Sequence, residues 1–240
     1  MKEDFYVLLD IDGCITDGKN QPMDVFSCYK LQHYIKQNQL NVLLCTGRSA
    51  TYVEAICQLL HINHWCICEN GCYLYHPITD EILINPTISL ESLNYLKDLE
   101  ILLNHQKHQE NFNIELGKEV CISLNPINES ITSLYQRIRQ KLDLTWVDIT
   151  HSATAVDITP KNINKGDGYD FWYHQVNQKG IQTIGIGDSK GDIPFLNKSN
   201  IVACPNNASQ EVKGLANIIA KAGGASGVLE ILETIFGDSV

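Results

Sequence analysis

The chain has 240 residues and a formal net charge of −10, a length that suits one large domain or a core with a modest insert. Apolar residues make up 44% and charged residues 19%, the profile of a folded globular protein rather than a disordered one. An acidic surface lacks the basic footprint of a nucleic-acid binder and does not suit an anionic membrane. No apolar run approaches the roughly 20 residues of a transmembrane helix, and Met1-Lys2-Glu3-Asp4 has none of the pattern of a signal peptide. A soluble, cytoplasmic protein is expected, with neither nucleic acid nor membrane as a partner. The nine cysteines fit reduced, buried thiols better than a disulfide framework. Cys66-x-Cys68-x3-Cys72 lacks the paired spacing of a zinc site.

Short apolar runs alternate with helical stretches, the rhythm of a parallel sheet covered by helices. The run 5–9 is continuously apolar, as for a strand buried on both faces, and stops at Asp10-Ile11-Asp12-Gly13. A helix is predicted over 25–36, a strand over 41–45, and a helix from Ser49, its expected N-cap, to about 60. A third strand, 65–68, ends at Glu69-Asn70-Gly71. The rhythm then changes: a hairpin over 72–75 and 81–84, a long helix over 90–108, and strands at 120–124, 145–149 and 155–158 flanking a helix at 130–142. This reads as an α+β insert at 85–155, with residues 1–84 and 156–240 forming a discontinuous core. After it come a helix from Gly166, a strand at 182–187, a short helix, a strand at 200–204 and a last helix to Phe236.

In an open α/β sheet ligands bind beyond the carboxyl ends of the strands. Four such ends or adjoining loops carry unusual polar residues: Asp10 and Asp12; Thr46-Gly47-Arg48; Lys165 at a helix start; and Gly187-Asp188-Ser189-Lys190-Gly191-Asp192. If the strands run parallel, four carboxylates, a lysine and a hydroxyl converge. Like charges so close raise one another's pKa, and a hard cation such as Mg²⁺ resolves the conflict while accepting a phosphate oxygen. The chemistry implied is phosphoryl transfer through an aspartyl phosphate.

Asp10-x-Asp12-Gly13-x-x-Thr16, Thr46-Gly47-Arg48, Lys165 and Gly187-Asp188-x3-Asp192 resemble, in order, the four motifs of the haloacid dehalogenase (HAD) superfamily. The position of the insert resembles a type II cap. Glu69-Asn70-Gly71 and the strand-rich insert look like the IIB branch of sugar, phosphoglycolate and sucrose phosphatases. The resemblance implies a Rossmann-like parallel-sheet core with an inserted α+β cap, and a Mg²⁺-dependent phosphatase of a small phosphorylated metabolite. Asp10 would be the nucleophile and a metal ligand. Asp12 would be the acid/base, with its carbonyl on the metal. Thr46 and Lys165 would hold the phosphoryl oxygens, Asp188 would ligate the metal, and Asp192 would complete the metal site as a ligand through water or as an orienting partner. Gly13, Gly47, Arg48, Asn70 and Asn207 are the candidates for contact with substrate, and the amide of Cys14 is a further phosphate donor.

Bland readings stand beside these. Each motif alone is an ordinary turn, helix cap or solvated lysine, and Arg48 can simply pair with a neighbouring carboxylate. Gly191 stands where asparagine is commoner, removing one brace from the metal loop. A non-catalytic phosphometabolite binder and a phosphotransferase or phosphomutase remain as alternatives. Whether the chain forms a homodimer, and whether His151 reaches over the site, are left open.

Overall fold

The computed structural model describes residues 5–18, 21–107, 109–152, 154–176 and 180–237. The chain begins with β1 (Phe5–Leu9), α1 (Val25–Asn38), β2 (Asn41–Leu44), α2 (Ala50–Leu60) and β3 (Cys66–Cys68). A 3-10 turn at Glu69–Gly71 leads into β4 (Tyr73–His76) and β5 (Glu81–Ile84). There follow α3 (Leu90–Gln106), β6 (Phe112–Ile114), β7 (Ile122–Pro126), α4 (Ile131–Arg139), β8 (Val147–His151) and β9 (Val156–Pro160). The last stretch holds α5 (Lys165–Val176), β10 (Gln182–Ile186), α6 (Ile193–Leu196), β11 (Ile201–Cys204), α7 (Gln210–Leu215), β12 (Ile218–Ile219) and α8 (Gly224–Phe236).

Five strands form a parallel sheet in the order β12-β11-β10-β1-β2. The apolar run of β1 is buried from its second residue onward because it lies at the centre, between β2 and β10. The chain passes from β1 to β2 on one side and continues from β10 to β11 and β12 on the other. The topological switch point therefore falls between β1 and β10, where open α/β sheets place their ligands. Helix α1 packs against α2 and α8, and α5 packs against α6 and β3.

Two antiparallel sheets complete the molecule. One is the meander β3-β4-β5, joined to the end of β2 by a parallel bridge between Cys45 and Ile67. The other has the order β6-β7-β9-β8, with α3 and α4 packed on it. Strand β9 belongs to this sheet, so a boundary between 155 and 156 would sever the β8–β9 hairpin, whose register runs from Val147↔Pro160 to His151↔Val156. Strand β6 was not legible from the sequence because three residues are too few to show alternation.

Ser49 stands at the N-cap of α2 with extended backbone, but its hydroxyl makes no cap bond; the Ala50 amide instead donates to the Tyr73 hydroxyl at 2.9 Å. All nine cysteines are free and buried. Among the described residues no helix is long and apolar enough to cross a membrane.

Candidate active site

Asp10 is the first residue beyond β1, its amide extending the pairing to the Ile186 carbonyl at 3.0 Å. Asp188 lies two residues beyond β10, so the pair flanks the switch point. Gly13 allows their loops to close: its φ is +88°, and a Cβ there would lie 2.1 Å from Asp188 Oδ2. One carboxylate oxygen from each of Asp10, Asp188 and Asp192 lies within 4.8 Å of the others. Lys165, at the start of α5 and 5% exposed, directs its ammonium to Asp10 Oδ1 at 2.8 Å and to Asp192 Oδ1 at 2.5 Å.

Asp192 is fully engaged. Its other oxygen accepts from the Asp188 amide (3.0 Å), the Ser189 amide (2.8 Å) and the Ser189 hydroxyl (3.1 Å). The loop that needed a brace at Gly191 is thus braced by Ser189 and Asp192, and Asp192 fits an orienting role better than direct ligation. Asp188 differs, for its Oδ1 is buried with no hydrogen-bond partner among the described residues.

Electrostatics point the same way. Burial pushes the Asp10 carboxyl well above the usual carboxylate range, and the Asp192 charge adds to this against the pull of Lys165. Burial, then Asp192, pushes Asp188 up to about 7. Burial alone would push the Lys165 ammonium down, but Asp10 and Asp192 outweigh it and hold it above its ordinary value. Three carboxylates face one ammonium. An orphaned buried carboxylate oxygen in an all-oxygen donor set fits a hard divalent cation such as Mg²⁺.

Thr46 follows β2 and is buried. Its Oγ1 accepts from the Arg48 amide at 3.2 Å, which leaves the hydroxyl proton to donate. The turn Glu69–Gly71 lies against this loop through Asn70 N to Thr46 O (3.0 Å) and Glu69 N to Arg48 O (3.1 Å). Asn70 stands over Gly47, where a Cβ would lie 3.0 Å from Asn70 Oδ1. All three residues of the turn have positive φ. Gly71 is required, since a Cβ there would sit 2.3 Å from the Asn164 carbonyl.

Asp12 lies outside the group of three carboxylates, though its charge still reaches Asp188. Arg48 grips it with two bonds, Nε to Oδ2 at 2.7 Å and Nη2 to Oδ1 at 2.6 Å. The neighbouring carboxylate that pairs with Arg48 is therefore the expected acid/base itself.

Three expected contacts are placed differently. The Gly13 amide donates to Thr16 O (2.7 Å) and the Cys14 amide to Ile11 O (3.2 Å), so both serve the loop's own turn. Asn207 gives Nδ2 to the Gly13 carbonyl (2.8 Å) and takes the Gly224 amide on Oδ1 (2.9 Å); its amide ties the β1 loop to the start of α8. His151 packs edge-on against Tyr135 with ring centroids 5.1 Å apart, and neither belongs to the cluster.

The loop 115–121, between β6 and β7, was not foreseen. Lys118 Nζ donates to the Gly47 carbonyl, and Glu115 lies 3.8 Å from Arg48 and 3.9 Å from Lys118. Arg48, Tyr52, Glu115 and Leu116 help to line a cavity of about 370 Å³. A lone Gly-Lys-Glu carries no motif, and nothing in the sequence marked it.

The family model of haloacid dehalogenase-like hydrolase matches residues 7–125 and 103–232. A curated relative, the phosphoglycolate phosphatase of Methanospirillum hungatei, is 26% identical over 239 residues, covering 96% of each chain. A sugar phosphatase of HAD subclass IIB superposes with a TM-score of 0.68 at 15% identity, covering 96% of this chain and 98% of the other. The sucrose-phosphatase of Synechocystis, solved with sucrose and phosphate, does so with a TM-score of 0.66 at 18% identity, covering 96% and 97%. An acidic cluster at the β1–β10 switch point, on this fold and with this match, makes the chain a member of the haloacid dehalogenase-like hydrolases.

Proposed function

We propose that this protein is a Mg²⁺-dependent phosphatase that hydrolyses a small phosphorylated metabolite through a phosphate ester of Asp10. The observation that carries it is Asp10, buried at the switch point within 2.8 Å of the Lys165 ammonium and beside the orphaned oxygen of Asp188. Asp10 and Asp188 would hold the cation, which supplies positive charge for the phosphoryl oxygens.

The chain's own residues supply the rest. An Asp10 oxygen attacks phosphorus, the bond to the leaving oxygen breaks, and Asp12 gives that oxygen its proton. Water then attacks the phosphoaspartate, losing a proton to Asp12 and returning Asp10 with inorganic phosphate. Lys165 and the Thr46 hydroxyl hold the phosphoryl oxygens while Asp192 orients Lys165. Arg48 holds both Asp12 oxygens, so proton transfer by Asp12 to the leaving oxygen requires Arg48 to loosen its hold.

Residues 85–160 act as the cap in this reading. Its modest size favours a small leaving group of the glycolate, glycerate or single-sugar kind, in line with the names of the curated relative and of the sugar phosphatase. The test is phosphate release from a panel of small esters with Mg²⁺, with EDTA, and with Asp10→Asn. Release that both controls abolish is the expected result. A wild type that binds an ester with Mg²⁺ yet releases nothing refutes it in favour of a non-catalytic binder.

A further inference from the structure

Arg48 lies between two carboxylates that come from different parts of the chain. Its Nε and Nη2 are spent on Asp12, at 2.7 and 2.6 Å. Its Nη1 is 3.8 Å from Oε1 of Glu115 in the 115–121 loop, a separation longer than a hydrogen bond. Among the described residues these two acids are the salt-bridge partners of Arg48. Lys118 also stands 3.9 Å from that oxygen, but its hydrogen bond goes to the Gly47 carbonyl. Bonding to Asp12 comes first in holding the guanidinium above its ordinary value against burial, and the charge of Glu115 adds to it.

This arrangement gives Arg48 a second place to go. A leaving oxygen has to reach Asp12, and both Asp12 oxygens are taken. A guanidinium stays charged at any working pH. With a side chain only 15% exposed, Arg48 is costly to leave without a counter-charge. Movement away from Asp12 therefore needs another carboxylate within reach, and Glu115 is roughly an ångström short of bonding distance. Arg48, Tyr52 and Glu115 help to line the cavity of about 370 Å³, which leaves room for the shift. The guanidinium already lies over the Tyr52 ring, 4.7 Å from its centroid, a face that continues to attract the cation as it moves.

We propose that Glu115 is a positioning residue that acts through Arg48: it takes the guanidinium over from Asp12 and so frees Asp12 for proton transfer to the leaving oxygen. This rests on the phosphatase reading above and deepens it. Glu115 itself exchanges no proton and touches no reacting atom. Because it belongs to the 115–121 loop, the release of Asp12 is tied to the place of that loop against the core.

The test measures phosphate release with Mg²⁺ from 2-hydroxyethyl phosphate and from acetyl phosphate. The chains compared are the full-length wild type, Glu115→Gln, Arg48→Met and the double variant. An alkoxide needs a proton as it leaves and acetate does not, so only the first compound depends on a free Asp12. Glu115→Gln keeps the shape of the side chain. It is expected to lower kcat/KM for 2-hydroxyethyl phosphate by about tenfold or more, with that for acetyl phosphate within about twofold of wild type. In the Arg48→Met background, where Asp12 is no longer gripped, adding Glu115→Gln is expected to change neither value by more than about twofold. An equal fall for both compounds, the mark of a merely structural role, overturns the proposal, as does no fall for the first. A full effect of Glu115→Gln in the chain that lacks Arg48 overturns it too. Should Glu115→Gln not fold, Glu115→Ala is read the same way; should Arg48→Met not fold, the contrast between the two compounds decides. Release from neither compound by the wild type refutes the phosphatase reading and this proposal with it. Release from both, with no contrast in Glu115→Gln, refutes the proposal alone.

Discussion

Replacing Lys165 by methionine keeps most of the side-chain volume and removes the one ammonium that faces Asp10 and Asp192. Both partners are buried, and stripping a buried ion pair of one member costs about 3–5 kcal/mol because the other charge is left uncompensated. With two carboxylates losing their partner, the upper part of that range is expected at pH 8. The sign with pH follows from Asp10. Its carboxyl already stands above the ordinary range, and Lys165 is the group that pulls it down, so the variant raises it further. A carboxylate whose folded pKa is raised costs stability above that pKa, and the cost fades as pH falls through it toward the unfolded value. The variant's deficit is therefore largest at pH 8 and smaller at pH 5.5. Urea unfolding without added metal reads this directly, as a midpoint roughly 1–2 M below wild type at pH 8 that narrows at pH 5.5. A deficit that is equal at both pH values, or larger in acid, refutes the assignment of Lys165 as the counter-charge of the cluster.

Mg²⁺ affinity should fall as the solution is acidified below pH 7, since a proton on Asp188, with its pKa pushed up to about 7, must leave for the cation to bind. Calorimetric titration at pH 8 and pH 6 is expected to show about a tenfold loss, and an affinity independent of pH contradicts it. Gly13→Ala forces a side chain on to a backbone at φ +88° and on to Asp188. Strain of about 1–3 kcal/mol should lower Tm by several degrees and abolish Mg²⁺ binding; an alanine variant that binds the ion normally sinks the close approach of the two loops. Asn207→Ala removes the bonds to Gly13 and Gly224, one exposed and one part-buried, a loss of about 1 kcal/mol. A raised KM with unchanged stability would instead return Asn207 to the substrate contacts.

What the sequence made legible is what local chemistry encodes. Strand β1 announced itself as an unbroken apolar run because it is central and covered on both faces, and the aspartates at its end were visible because they break that run. The four motifs placed their polar groups at one end of the sheet on condition that the strands run parallel; the switch point itself follows from the strand order. Three-dimensional partners were less legible. Nothing in a spacing says that Arg48 turns on Asp12, that Asn207 reaches back 194 positions to the Gly13 carbonyl, or that Lys118 returns 71 positions to Gly47. Strand β9 was placed outside the insert because its sequence reads as a strand either way; only pairing with β7 and β8 assigns it.

The buried carboxylates show why the donors around an acid say more about its role than its presence in a motif. Taking a carboxylate out of water costs several kcal/mol unless other donors replace the water. For Glu69 and Asp192 that replacement is complete: amides, hydroxyls or the Lys165 ammonium meet both oxygens of each. A ligand arriving at either would have to break what is already there, so both are suited to holding loops in place. Asp188 is left with a buried oxygen that no hydrogen-bond donor among the described residues meets and a carboxyl driven up to about 7. Lys165 and a backbone hydrogen bond offset only part of its desolvation, which suits it to a bound cation. Asp10 lies between these cases, held by one ammonium and raised by its neighbours. In the proposed reading, ligation of a cation would therefore fall to Asp188 and Asp10, and Glu69 and Asp192 would hold the loops around them.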